Sequence, residues 1–155
     1  LTLAILDMDY FKKYNEKYGH EAGDLVLVKV AVFLKRILKR PSDYVFRMGG
    51  EEFGLLMTGM NEQESFNFLE TIRVGVEALN IAHELSYIGD YATVSIGFRV
   101  YAGADIPADE QIFIQADKAL HSAKEQRNTV KGSIRKEGSD AGIESVNTEI
   151  PTRSM

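Results

Sequence analysis

Gly49-Gly50-Glu51-Glu52 joins two short apolar stretches, Tyr44 to Met48 and Phe53 to Met57. Both flanks are rich in β-branched, aromatic and aliphatic residues, which predicts a pair of strands. Glycine reaches positive φ without steric cost, so the Gly-Gly pair predicts a hairpin turn between them. Two adjacent carboxylates repel each other and are poor strand formers. A hairpin that carries them at its turn invites a positive partner, and a divalent metal holding a phosphate is the natural one. A second acidic group, Asp7-Met8-Asp9, ends the apolar run Leu1 to Leu6, which only Thr2 interrupts. That run predicts a strand buried on both faces. Alternation puts Asp7 and Asp9 on one side of the chain, at the strand end where open α/β sheets bind ligands. Two such clusters suit Mg²⁺, which needs one or two carboxylates and completes its shell with water and phosphate. The plain alternative is a solvated Glu-Glu pair beside an ordinary turn.

These groups need a scaffold. Tyr10 to Asp24 reads as a polar loop with lysines, Asn15 and two glycines. Leu25 to Leu38 then carries Leu25, Val28, Val32, Phe33 and Ile37 at helical spacing, with Lys29, Lys35 and Arg36 toward solvent and Asp24 placed as N-cap. Pro41 stops that helix. After the hairpin, Asn61 to Leu85 predicts a second helix, capped by Asn61, with Phe66, Leu69, Ile72, Val76 and Leu79 inward. Thr93 to Tyr101 alternates as a strand through Val94, Ile96, Phe98 and Val100. Ala108 to Gln126 predicts a third helix through Ile112, Ile114, Ala116, Ala119, Leu120 and Ala123. The order β-α-β-β-α-β-α implies an α/β sandwich of mixed or antiparallel strands with helices packed on it. From about Lys131 the chain turns polar and small without periodicity, which reads as a flexible tail over 131–155.

Composition sets outer limits. The 155 residues suffice for one domain with a core, and 45% hydrophobic with 26% charged is ordinary for a soluble globular protein. A formal net charge of −5 argues against a broad nucleic-acid surface. With no cysteine there is no disulfide framework and no thiol chemistry. No apolar run approaches the roughly 18 residues of a bilayer span, and no signal peptide is evident. A chain that opens inside a buried strand without an initiating methionine reads as part of something longer.

Several separated motifs, in order, resemble the GGDEF domain of bacterial diguanylate cyclases. They are Asp7-Met8-Asp9-Tyr10-Phe11-Lys12-Lys13-Tyr14-Asn15, Tyr18-Gly19-His20, Gly23-Asp24, and Arg47-x-Gly49-Gly50-Glu51-Glu52-Phe53. Thr93-Val94-Ser95-Ile96-Gly97 and Ala116-Asp117-Lys118-Ala119-Leu120-His121-x-Ala123-Lys124 continue the pattern. The resemblance covers residues 1 to 130, as a domain lacking its N-terminal part. It implies a central five-stranded mixed sheet flanked by helices, similar to nucleotidyl cyclases and polymerase palms. The implied activity is condensation of two GTP into cyclic di-GMP with release of two pyrophosphates, each of two facing protomers holding one GTP. The expected setting is cytoplasmic, with an upstream sensory or receiver module that sets dimerisation.

The resemblance also distributes roles. Asp7, the Met8 carbonyl, Glu51 and Glu52 would hold Mg²⁺ or Mn²⁺, with Glu51 as proton acceptor and Glu52 in support. Gly49 and Gly50 let backbone approach the phosphates, and Lys12 places a point charge on the triphosphate. Asn15 and Asp24 match guanine readers; a carboxylate accepts from guanine N1–H and the exocyclic amine, which adenine lacks. His20 matches a substrate-contacting position, or it shapes its loop. Lys124 matches a phosphate ligand. Arg127 follows it by three residues where the family has four, since the glycine of Ala-Lys-x-x-Gly-Arg-Asn is missing; both spacings lie on one helix face. Arg40-Pro41-Ser42-Asp43 lies with five residues between it and Gly49 and matches the inhibitory Arg-x-x-Asp site for cyclic di-GMP, with Thr71 where a further arginine is common. A degenerate domain that binds GTP or cyclic di-GMP without turnover is the alternative. A palm-like enzyme acting on nucleic acid fits the net charge poorly.

Overall fold

The computed structural model of the chain describes residues 1–134 and 144–145. The apolar opening forms β1 (Thr2–Met8), buried along its whole length. Its alternation sorts side chains between two cores. Ala4, Leu6 and Met8 point into the larger one, and Leu3 and Ile5 into the smaller. Around β1 the sheet runs β2 (Tyr44–Gly49), β3 (Glu52–Met57), β1, β4 (Val94–Val100), β5 (Val130–Ile134) and the two-residue β6 (Glu144–Ser145). The β4–β5 pair is parallel and the rest are antiparallel, so the expected five-stranded mixed sheet is present, with β6 appended.

Four helices cover it: α1 (Phe11–Tyr18), α2 (His20–Ile37), α3 (Glu62–Glu77) and α4 (Gln111–Gln126). The larger core packs α2 and α3 on one face, while α4 closes the smaller core on the other. Gly97 explains how closely α4 approaches. A Cβ there would overlap backbone atoms of Ala116 and Leu120. Asn61 caps α3 as expected, its Oδ1 accepting from Glu64 N at 2.9 Å while Glu64 Oε2 accepts from Asn61 N at 2.8 Å, a reciprocal capping box.

Five expectations need correction. Tyr10 to Asp24 is not a loop, because Phe11, Tyr14 and Tyr18 share one face of α1 and stack inward, with Tyr14 and Tyr18 centroids 4.6 Å apart. Asp24 is therefore no cap; α2 already begins at His20, after Gly19 at φ 88°. The buried face of α2 is Val26, Leu27, Val30 and Leu34, whereas Leu25 and Val28 are 63% and 58% exposed. From Leu25 to Leu34 this helix is apolar nearly all round, interrupted only by Lys29, so two stripes compete, and packing against α1 and the sheet selects the other one. The second helix ends at Glu77, well before Leu85, leaving Leu79 exposed. Finally, ordered structure passes residue 130: β5 buries Lys131 and Ser133. The expected tail beyond that strand lies outside the described residues, apart from β6.

Candidate functional site

The hairpin turn is shaped by its glycines. Gly49 and Gly50 lie at φ 149° and 51°, both of which cost a side-chain-bearing residue strain. Pairing shifts between Arg47 and Gly49, so Met48 is an extra residue on β2; a bulge of this kind bends the strand and re-aims the residues after it. Arg47 Nε donates to Gly50 O at 2.9 Å and closes the turn. The β1–β3 register then sets Asp7 directly opposite Glu52, and Met8 N donates to Glu51 O at 3.4 Å. The side chain of Met8 is buried in the core, which leaves its carbonyl as the group it can offer a ligand.

Asp7 is buried at the end of β1 and pairs with Lys124 from the last turn of α4. Burial dominates its titration and pushes the carboxyl up to about 6. The Lys124 ammonium pulls the other way, and the carboxylates of Glu51 and Glu52 push it up further. Three carboxylates thus crowd one lysine, and this charge excess fits a cation. Among the described residues no three acidic or imidazole groups close into a cage. An Mg²⁺ that takes most of its shell from water and phosphate suits this open donor set better than a metal needing an all-protein cage.

Asp9, expected on the same side as Asp7, is instead consumed by the protein. Its carboxylate accepts from Thr93 Oγ1 at 2.8 Å, Ser95 Oγ at 2.6 Å and Asn128 N at 2.9 Å. Arg127 also belongs to this knot. Helix α4 stops at Gln126, Arg127 turns to φ 62°, and its guanidinium sits 3.7 Å from Asp9 and 4.2 Å from the centre of the Tyr10 ring. The shared helix face expected for Lys124 and Arg127 is therefore absent. Lys124 points to Asp7, and Arg127 to Asp9 and Tyr10.

Beside the turn lies an open cleft of about 440 Å³. It brings together Lys12, Asn15, His20, Asp24, Gly50 and Glu51 from α1, α2 and the hairpin. Asn15 Oδ1 is buried there without a hydrogen-bond partner, and Gly23 leaves room for it, since a Cβ at that position would overlap the same oxygen. Arg47, Phe11, Glu16 and Leu27 also line the cleft; none was assigned a site role from the sequence, although Phe11 and Arg47 fall within its motifs. Arg47 was the legible one, an arginine two residues before a Gly-Gly turn that carries two carboxylates.

Arg40 and Asp43 stand apart, at the far end of β2. The strand between them and Gly49 is six residues long, roughly 20 Å at ordinary strand rise. Arg40 N donates to Asp43 Oδ2 at 3.3 Å and its NH1 to Thr58 O at 2.9 Å, while Asp43 Oδ1 is buried without a partner. Thr71 turns back on its own helix, donating to Asn67 O.

Comparison with known proteins agrees on one family. The family model described as diguanylate cyclase, GGDEF domain, matches residues 1–129. Diguanylate cyclase A of Treponema denticola is 37% identical over 84% of the chain and 34% of its own length. The probable diguanylate cyclase DgcT of Escherichia coli is 39% identical over 83% of the chain and 28% of its own length. The chain thus spans about a third of these relatives. Among solved structures, the GGDEF domain of DgcB from Caulobacter crescentus in complex with c-di-GMP superposes with a TM-score of 0.71 at 33% identity, covering 84% of this chain and 76% of that one. The active GGEEF domain of a diguanylate cyclase from Vibrio cholerae gives 0.69 at 25% identity, covering 87% and 83%.

Proposed function

The chain belongs to the GGDEF domain family of diguanylate cyclases, and from that membership we propose that it condenses two GTP into cyclic di-GMP with release of two pyrophosphates. The observation that carries this reading is that Glu51 joins two groups: it lines the cleft with Lys12, Asn15 and Asp24, and it lies beside Glu52, which stands opposite the Lys124-paired Asp7.

Asn15 and Asp24 read the guanine. Asn15 Oδ1 lies buried against Gly23 without a hydrogen-bond partner, and turning the amide into the cleft lets it accept a ring or amine N–H. Lys12 and Lys124 approach the triphosphate from α1 and α4 and offset its charge. Asp7, the Met8 carbonyl, Glu51 and Glu52 would hold Mg²⁺ or Mn²⁺. An ion bound there would supply positive charge to the phosphates; the 3′-oxygen of the second GTP attacks the α-phosphorus. Glu51 accepts the 3′-hydroxyl proton, and pyrophosphate leaves. One cleft presents one α-phosphorus, so two protomers must face each other for both bonds to form. At the far end of β2, Arg40 and Asp43 take the product. Asp43 Oδ1 has no partner in the ligand-free chain and would accept from a guanine edge once turned outward, and the Arg40 guanidinium, one nitrogen of which donates to Thr58 O, would present its remaining N–H groups to the other edge or a phosphate.

No helix among the described residues is long and apolar enough to cross a membrane. Placement in the cytoplasm and control by an upstream sensory or receiver module are part of the same proposal. Incubating a verified dimer with GTP and Mg²⁺, then resolving products by chromatography, tests it. Cyclic di-GMP and pyrophosphate are expected. GTP binding without any product would favour a receptor over an enzyme.

A further inference from the structure

Between α3 and β4 the chain makes a closed loop over residues 80–92 that no part of the proposed reaction uses. Ala92 N donates to Ile81 O at 2.7 Å, His83 N to Asp90 O at 2.8 Å, and Ala82 bridges Tyr91, so the loop's two ends lie together. We infer that this loop is a strap that sets the orientation of α1 in the nucleotide cleft, with His83 as its positioning residue.

His83 is 1% exposed, and its Nε2 lies 3.0 Å from Tyr10 O. A carbonyl only accepts, so Nε2 carries the proton and donates. The same carbonyl accepts the first bond of α1, from Tyr14 N at 3.0 Å. Tyr10 is the one residue between Asp9 and the start of α1, and it sits at φ 53°. That conformation is strained for a bulky side chain and persists only where the surroundings enforce it. His83 enforces it from beneath. The Tyr10 ring itself meets Tyr87 of the strap edge-on at 5.2 Å, and the Arg127 guanidinium lies over its face, 4.2 Å from the ring centre.

The remaining strap contacts fall on the same side of α1. His83 meets the Tyr14 ring edge-on at 5.2 Å, Glu84 N donates to the Tyr18 hydroxyl at 3.0 Å, Glu84 pairs with Lys17 at 3.1 Å, and Lys13 lies 5.1 Å over Tyr87. Positions 10, 13, 14, 17 and 18 follow i, i+3, i+4, i+7, i+8, a single helix face. Lys12, Asn15 and Glu16 lie off that face and line the cleft. The strap therefore grips the back of the helix whose front presents Lys12 and Asn15. Small rotations of α1 move the Asn15 amide against the base, so the strap acts on guanine affinity and guanine preference.

This inference rests on the nucleotide reading above, and the test separates the two. Binding of GTP and of ATP, each with Mg²⁺, is measured by titration calorimetry for the whole chain and three variants. His83→Phe keeps an aromatic ring against Tyr14 but removes the donor. It is expected to lose about tenfold in GTP affinity and most of the GTP-over-ATP preference, as misplaced binding groups do. His83→Gln restores an amide N–H near the Nε2 position and is expected within about threefold of wild type in both. Tyr87→Leu, at an exposed position, is expected to lose about threefold in GTP affinity with the fold intact, and it decides the matter should His83→Phe not fold. A generic loss of stability would not alter the GTP-to-ATP ratio of the folded protein or be rescued by glutamine. Wild-type chain that binds no GTP overturns the nucleotide reading and the strap with it. GTP binding with unchanged affinity and ratio in His83→Phe, or in Tyr87→Leu where the former does not fold, overturns the strap alone.

Discussion

Asp7 and Asp9 are two residues apart, carry the same side chain and lie at the end of the same strand, yet their surroundings are opposites. Around Asp9 the protein supplies two hydroxyls, a backbone N–H and a guanidinium. Around Asp7 it supplies one lysine and two further carboxylates. The first region is a finished structural knot that ties β1 to β4 and to the turn after α4. The second is left electrostatically unfinished. A fold that satisfies one carboxylate and starves its neighbour marks where it expects something from outside.

The largest effect on stability should come from the finished region. Asp9→Ala orphans Thr93 Oγ1, Ser95 Oγ and Asn128 N in a buried site, and about 3–5 kcal/mol should be lost in urea denaturation. A loss below about 1 kcal/mol would erase the distinction between the two aspartates.

The unfinished region should behave in the reverse way. Asp7 titrates at about 6 in the folded chain against 3.8 unfolded. The unfolded state therefore gives up its proton first, and metal-free stability falls as pH rises from about 4 to about 6, then levels. The full drop corresponds to about 3 kcal/mol. Asp7→Asn should flatten that slope and stabilise the metal-free chain at pH 7, as denaturation midpoints across pH 4–7 would register. Below about pH 6 protons compete with Mg²⁺, so metal affinity should weaken there in the wild type.

A smaller effect probes what brings the regions together. Gly97→Ala sets a Cβ into the backbone of α4 and should cost about 1–3 kcal/mol by pushing that helix off the sheet. Lys124 moves with it, so calorimetric Mg²⁺-GTP affinity should fall beyond what the stability loss accounts for. Unchanged affinity would mean that Lys124 is not held in place by this packing.

The sequence made some of this arrangement legible and hid the rest for physical reasons. The doubly buried β1, the Gly-Gly hairpin and the Asn61 cap each depend on local rules, and each appears as expected. The Lys12, Asn15, Asp24 and Glu51 grouping came from motif order, and one cleft unites those residues. The aromatic face of α1 was masked by the lysines and Asn15 between its members, which made a helix look like a loop. On α2 the apolar residues fit two stripes, and only tertiary packing chooses between them. The separation of Asp7 from Asp9 could not be read from alternation, because β1 ends at Met8 and its period no longer applies at Asp9. His83 gave no signal at all, since its partner is a backbone carbonyl 73 residues away.

The central claim is that the starved cluster at Asp7 and the Glu51-Glu52 turn is the catalytic half-site. Its most direct test is Glu51→Gln, nearly isosteric and one charge poorer, in a verified dimer supplied with GTP and Mg²⁺. Cyclic di-GMP formation should fall by at least about 100-fold while GTP is still bound. Turnover at the wild-type rate would contradict the account.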